Sequence, residues 1–384
     1  MQSGRTFLSL SPNCSLRLLE TPCVYDRAHD ELYELDGDAA GFVRSLPLCV
    51  NDPLVARADR EFVEYCLGEG LFRWTAEQSP SRESKQSPIP SLRYLLLHIT
   101  TRCNLRCAHC YLGDVEPRDL PLEDIVRAME QFDELQGLRL LVTGGEPLLH
   151  PLFWEANERF RDYSFRTVIL SNGTVIDRAT AERLRAHEVQ VSLDGVGKSH
   201  DALRGPGSYE RALKGLAHLA EAGVDVSVAS MVHEGAVDDF DELERVVRGL
   251  GAREWNIDVP SRAGRWRGSS TIDSDKLAKA LSRAYGGGAH FTAEGDWACG
   301  AHLGAVMADG TVCKCGFYAG SPHGTLEAGL AEAWGSIPRV RITDLRCDCE
   351  LLQQCRGGCR YRAEMAGDPL GKDYVMCAAH GVPY

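Results

Sequence analysis

The sequence predicts an α/β protein: a parallel sheet curved into a partial barrel, with a small unit before it and a cysteine-rich segment after it. Three observations predict this. Between residues 92 and 260, strand-length apolar runs alternate with helix-length amphipathic stretches. Glu77-Gln78-Ser79-Pro80-Ser81 through Ser87-Pro88-Ile89-Pro90 has the Ser, Pro and alternating charge of a linker. The 15 cysteines are clustered: none lies from 111 to 298, and eight fall from 299 to 377. The expected divisions are 1–76, a linker 77–91, the barrel 92–260, a connection 261–298 and the cysteine-rich segment 299–384.

With 384 residues, 44% hydrophobic and 25% charged, the chain has an ordinary globular composition and room for sizeable cores. Its net charge of −13 argues against nucleic acid or an anionic membrane as a partner. No apolar run approaches the ~20 residues of a membrane span. Met1 to Pro12 lacks the basic-then-apolar order of a signal peptide, so the expected location is the cytoplasm. There, 15 cysteines point to metal ligands more than to structural disulfides. Cys14, Cys23, Cys49 and Cys66 share no ligand-like spacing and read as core thiols.

The first unit reads as short strands at Cys23-Val24-Tyr25 and Leu32-Tyr33-Glu34-Leu35, then a turn at Asp36-Gly37-Asp38. A helix follows over Ala39–Leu46, a second over Arg57–Leu67, and a last strand at Leu71-Phe72-Arg73-Trp74. That order is winged-helix-like. Residues 1–90 hold nine Lys and Arg against 14 Asp and Glu, which lacks the basic footprint of DNA binding. The stretch YELDGDAAGFVRSL, Tyr33 to Leu46, resembles the peptide-recognition element of enzymes that modify ribosomally made peptides. The resemblance implies a leader peptide that adds as a strand to a sheet edge on residues 1–76. A capping unit without ligand is the alternative.

In the barrel, strands are expected at 92–99, 138–143, 166–171, 188–193, 224–231 and 254–259. Helices are expected near 121–135, 151–162, 178–187, 208–222 and 238–249, with Gly223 and Gly251 just past two of them. This is a TIM-like (β/α)6 partial barrel, whose chemistry belongs at the C-terminal ends of the strands. After the first strand comes Cys103-Asn104-Leu105-Arg106-Cys107-Ala108-His109-Cys110. Three thiolates at CxxxCxxC spacing suit three irons of a cubane cluster, leaving the fourth open to a non-protein ligand. A zinc site or plain buried thiols remain alternatives, but zinc favours CxxC pairs and a closed set of four. His109 lies between two cysteines and is expected to point away.

CxxxCxxC with Tyr111 next, after the first strand of an α/β domain, resembles the radical S-adenosylmethionine (SAM) superfamily. The resemblance implies SAM chelated on the open iron and cleaved to a 5′-deoxyadenosyl radical that abstracts a substrate hydrogen. It assigns the SAM site to successive strand ends. Thr143-Gly144-Gly145-Glu146-Pro147 offers close backbone approach at Gly144 and Gly145 and a carboxylate at Glu146 for the SAM ammonium. Ser171 and Asn172, then Ser192 and Asp194, reach the ribose or carboxylate. Arg204 holds the carboxylate, and Tyr111 meets the adenine through its backbone. Arg262, Arg265 and Arg267, with Gly286-Gly287-Gly288, mark the connection, the arginines facing either substrate or solvent.

In the tail, Val306 to Val312 reads as a hairpin around Asp309-Gly310. The cysteines are Cys299, Cys313, Cys315, Cys347, Cys349, Cys355, Cys359 and Cys377. A zinc ribbon wants two CxxC pairs, and neither is present. Gly310-x4-Cys315 and Cys349-x5-Cys355-x3-Cys359 resemble the SPASM extension of radical SAM enzymes, which holds two auxiliary [4Fe–4S] clusters. The resemblance gives the first auxiliary cluster Cys299, Cys315 and Cys359, with either Cys313 or an open site. It gives the second Cys347, Cys349, Cys355 and Cys377. Two features depart from the pattern: the usual CxxC is shortened to Cys347-x-Cys349, and Cys313 is extra. Sulfatase-maturing relatives carry an aspartate base where this chain has Gly316, so formylglycine formation is disfavoured.

The resemblance as a whole is to radical SAM–SPASM enzymes that mature ribosomal peptides, of the sactisynthase, ranthipeptide and cyclophane-forming kind. It implies SAM, three [4Fe–4S] clusters, a precursor peptide and an external electron donor such as flavodoxin or ferredoxin. The implied reaction is an oxidative thioether or carbon–carbon crosslink. Peptide epimerisation, with Cys313 as the catalytic hydrogen donor, a small-molecule substrate and a non-catalytic metal-binding regulator are the alternatives.

Overall fold

The computed structural model describes residues 6–77, 85–268, 272–286 and 296–382. Ser79-Pro80-Ser81 of the linker and Gly287-Gly288 of the connection lie outside the described residues. The chain opens with β1 (Phe7–Leu10), β2 (Cys14–Leu18), β3 (Pro22–Asp26) and β4 (Glu31–Glu34). It continues with α1 (Gly37–Ser45), β5 (Leu48–Cys49), α2 (Pro53–Arg57), α3 (Arg60–Gly68) and β6 (Phe72–Thr75). Asp36, Asp52 and Asp59 each cap a helix by accepting backbone N–H bonds. Two three-stranded sheets form, β5-β1-β6 and β2-β3-β4. The strands β1, β2 and β5 add to the pattern expected from sequence. In β2 the apolar Leu16 and Leu18 flank a buried Arg17, which blurs the alternation that marks a strand.

The barrel follows: β7 (Tyr94–Thr100), α4 (Leu122–Glu134), β8 (Arg139–Gly144), α5 (Phe153–Asn157), β9 (Arg166–Ser171), α6 (Arg178–Arg183) and β10 (Glu188–Ser192). Then come α7 (Lys198–Arg204), α8 (Ser208–Glu221), β11 (Asp225–Met231), α9 (Phe240–Gly249) and β12 (Trp255–Asp258). The strands β7 to β12 pair in parallel and in sequence order. Helix faces such as Ile125, Ala128, Met129 and Phe132 of α4 bury against them. Gly223 and Gly251 take the positive φ expected past two helices, 70° and 68°.

After α10 (Ser274–Leu281), β13 (Leu303–Val306) and β14 (Thr311–Cys313) form the hairpin around Asp309-Gly310, followed by β15 (Gly324–Thr325). The hairpin does not stand apart from the barrel. β13 pairs in parallel with β7, so one sheet runs β12-β11-β10-β9-β8-β7-β13-β14-β15. The tail ends in α11 (Leu330–Ser336), α12 (Leu352–Cys355), α13 (Arg360–Met365) and α14 (Tyr374–Ala379). No helix of the described residues is long and apolar enough to cross a membrane.

The β3–β4 turn closes the N-terminal end of the barrel. Arg139, at the start of β8, donates to Asp30 at 2.6 Å and to Glu254 at 3.1 Å, all three buried. Arg166, at the start of β9, pairs with Glu188 and Asp225 and donates to the Arg27 and Ala28 carbonyls at 3.0 Å. Tyr25 donates to Asp30 at 2.6 Å. The opposite end of the strands is left for the site.

Candidate functional site: a three-cysteine loop and two further thiol groups

The loop after β7 is clamped from three sides. Asn172 donates to Asn104 at 2.9 Å, and Asn104 donates to Thr174 at 2.8 Å, tying the loop to the end of β9. The Ala108 N–H donates to the Leu203 carbonyl of α7 at 2.8 Å. Arg265 donates to the Cys107 carbonyl at 2.8 Å and the Gly113 carbonyl at 2.6 Å. A Cβ at Gly264 would stand 2.2 Å from the Cys110 carbonyl oxygen, so only glycine allows that approach. Arg265 therefore faces neither substrate nor open solvent, as its reading from sequence had it; it fastens the loop. The thiols of Cys103, Cys107 and Cys110 lie near enough to interact electrostatically, and burial pushes the first two up. The Arg204 guanidinium acts on Cys107 in the opposite direction.

Gly144 and Gly145 make a close backbone contact within the chain. A Cβ would stand 2.1 Å from the Thr100 carbonyl oxygen at Gly144 and 2.3 Å from that of Arg102 at Gly145. The crowding is against the backbone entering the cysteine loop, which accepts the Gly145 and Glu146 N–H groups at 2.9 and 2.7 Å. Glu146 is fully buried and accepts from Ser171 Oγ at 2.9 Å and the Asn172 N–H at 2.8 Å. Burial pushes its carboxyl from 4.5 up to about 7. A buried carboxyl held this way is suited to an ammonium group, which would supply the missing charge.

The sign of its pH effect follows. The folded chain binds this proton more tightly than the unfolded chain, so stability falls as pH rises from about 4.5 through about 7. Above that window the loss is complete. Glu146→Gln should flatten this decline, checked by urea denaturation at about pH 5 and about pH 8 without added SAM.

Asp194, which follows β10, and Arg204 of α7 form an ion pair, the carboxylate fully buried and the arginine side chain 11% exposed. Burial alone would raise the Asp194 carboxyl, but Arg204 overrides it and holds it down to about 2. Asp194 also accepts the Met231 N–H at 2.9 Å. Ser192, half-buried, ends β10 beside them. His109 does not simply point away. Its Nε2 lies 3.4 Å from Arg204 Nη2, and burial holds its ring down to about 4, keeping it neutral.

Tyr111 joins the loop to the tail. Its hydroxyl is 3.3 Å from His98 Nε2, and its ring lies 5.2 Å from that of Phe317. Phe317 stacks on Tyr361 at 4.8 Å. A Cβ at Gly316 would stand 3.0 Å from the Tyr111 ring, so an aspartate at that position has no room without moving it. The thiols of the tail separate into two groups. Cys299 and Cys359 act on each other, the first pushed up and the second held down to about 6, and Cys315 interacts with both. Cys377 interacts with Cys347 and Cys355. Cys349 follows Cys347 on the same loop and accepts the Leu351 N–H at 3.4 Å.

Cys313 joins neither group. It is fully buried in an apolar cluster of Leu96, Leu112, Ala305 and Met307, and burial pushes its thiol up to about 11. Among the described residues no three His, Cys, Asp or Glu side chains converge on one ion-sized point; the thiols stand in looser groups. As donor sets they fit iron–sulfur clusters: three thiols beside a guanidinium on the loop, and two groups of three in the tail, with Cys349 close in sequence to the second. Sequence reading missed Asn104, Thr174, Arg265 and the role of His109. Asn104 and Thr174 carry no spacing signal, because their contact crosses 70 residues.

Residues 97–247 match the Radical SAM superfamily. The chain is 28% identical over 189 residues to an AdoMet-dependent heme synthase of Nitratidesulfovibrio vulgaris, covering 47% of this chain and 52% of that protein. It is 29% identical over 335 residues to the mycofactocin maturase MftC of Mycobacterium ulcerans, covering 75% of this chain and 89% of that protein. The crystal structure of Streptococcus suis SuiB bound to precursor peptide SuiA shares the fold, with a TM-score of 0.71 at 17% identity over 96% of this chain and 99% of that one. A radical SAM domain implies SAM and one [4Fe–4S] cluster.

Proposed function

We propose that this chain, whose residues 97–247 form a radical SAM domain, is a peptide maturase that closes an oxidative crosslink in a ribosomally made precursor. Cys103, Cys107 and Cys110 would hold the SAM-binding cluster. Glu146 would receive the SAM ammonium, with Arg204 and Ser192 toward its carboxylate and Asp194 and Asn172 toward its ribose. When bound, the cluster and SAM supply the hydrogen-abstracting 5′-deoxyadenosyl radical. The chain's own residues fix the loop and keep His109 neutral.

The observation that carries the reading is the extent of likeness beyond the barrel. The match to the maturase covers 89% of that protein, while the match to the heme synthase covers 52%. The longer match, over 75% of this chain against 47%, therefore supports a peptide substrate over a porphyrin. The N-terminal unit, winged-helix-like, would dock the leader, and an external donor such as flavodoxin or ferredoxin would supply electrons. The test is 5′-deoxyadenosine release by anaerobically reconstituted protein. Stimulation by a candidate precursor peptide encoded near the gene supports the reading; stimulation by an iron porphyrin and not by any such peptide overturns it.

Two auxiliary clusters would occupy the tail, one on Cys299, Cys315 and Cys359 and one on Cys347, Cys349, Cys355 and Cys377. With Cys313 packed apart, the first set keeps an open position for a substrate thiolate, which favours the thioether over carbon–carbon coupling. Cys313→Ser should leave iron content unchanged, whereas Cys315→Ala should lower it by about four irons per chain. Colorimetric iron analysis checks both.

A further inference from the structure

We propose that the free edge of β4, with α3 beside it, selects an extended peptide segment rich in lysine and arginine. This rests on the reading of the chain as a peptide-modifying enzyme and names the charge of what docks. The β2-β3-β4 sheet has two edges. The β2 edge is taken: Ser87 N–H donates to the Leu18 carbonyl at 2.9 Å, and Gln86 bonds Leu18 and Leu19 at 3.0 Å. The β4 edge has no strand against it among the described residues.

The Leu35 N–H donates to the Pro22 carbonyl at 2.8 Å. By the alternation of an antiparallel pair, Tyr33 also faces β3, and the amides of Leu32 and Glu34 face outward. A docked strand would pair with those two residues. On the helix side of this edge, Tyr33 lies close to Glu31, Glu69 and Tyr65, with Tyr65 54% exposed. On the other side Leu32 packs toward Leu138, and Glu34 stays exposed next to it. Both faces of an added strand would therefore meet carboxylates. Glu34 and Glu69 have no ion-pair partner among the described residues, so their charge is available to a guest.

The probes are two fluorescein-labelled peptides of about ten residues, one alternating Lys and Val, the other Glu and Val, titrated against the full chain. The Lys peptide should bind roughly tenfold more tightly, with the difference shrinking in about 0.5 M salt. Glu34→Gln with Glu69→Gln, both at exposed sites, should weaken it roughly three- to tenfold. A Lys peptide N-methylated at alternate amides should lose its affinity, because strand pairing needs them. Equal binding of both peptides, tighter binding of the Glu peptide, or undiminished binding of the methylated one overturns the proposal. Acids that merely keep sheet edges from pairing would give no binding to either peptide and overturn it too. A chain that turns over its precursor yet shows any of these outcomes refutes the charge selection alone.

Discussion

Replacing Cys103, Cys107 and Cys110 together with Ala should abolish 5′-deoxyadenosine release and lower iron from about twelve to about eight per chain. The fold should survive the change. The loop is held by Asn104, Thr174, Arg265 and the backbone of Leu203, none of which uses a thiol. Circular dichroism should therefore match the parent chain, and the iron left over should belong to the tail. A variant that still cleaves SAM would show that the loop is not the SAM cluster site. A variant that loses all its iron would show that the tail groups depend on it.

Arg166→Ala should destabilise the chain by roughly 3–5 kcal/mol, measured by urea denaturation. The Arg166 side chain is 1% exposed and meets a Glu188 carboxylate that is 2% exposed. Removing the guanidinium leaves that carboxylate buried without a cation, takes away its bond to the Arg27 carbonyl and leaves the Ala28 carbonyl only a long bond of 3.5 Å from Arg253. The N-terminal unit would lose a main anchor on the barrel. An exposed pair offers the contrast: Arg178 and Glu221 are 64% and 54% exposed, and Arg178→Ala should change stability by less than about 1 kcal/mol. Equal losses from the two substitutions would remove the case for a buried network that holds the N-terminal turn in place.

The repeats between 92 and 260 were legible because parallel strands and their helices are local patterns with a strong apolar signal. Cys103, Cys107, Cys110 and Glu146 were legible for a similar reason: each falls at the end of one strand, and the order of strands brings them together. What stayed hidden are contacts between distant segments. Nothing local in Leu303–Val306 says that it pairs with Tyr94–Leu97 across 209 residues. Arg265 reads as one more arginine in a connecting segment until its carbonyl partners are seen. Asp30 reads as a turn residue, yet its carboxylate is buried against Arg139. For Gly144 and Gly145 the residue type signalled a close backbone approach, and the contact with Thr100 and Arg102 could not be read from the sequence.

The most direct test of the account is the mass of a candidate precursor peptide encoded near the gene after coexpression with this chain. The account predicts a peptide lighter by two hydrogens, with fragmentation blocked across the bridged segment and a substrate cysteine no longer open to alkylation. An unchanged mass, or the same mass with inverted residues, from a chain that cleaves SAM in the presence of that peptide would contradict it.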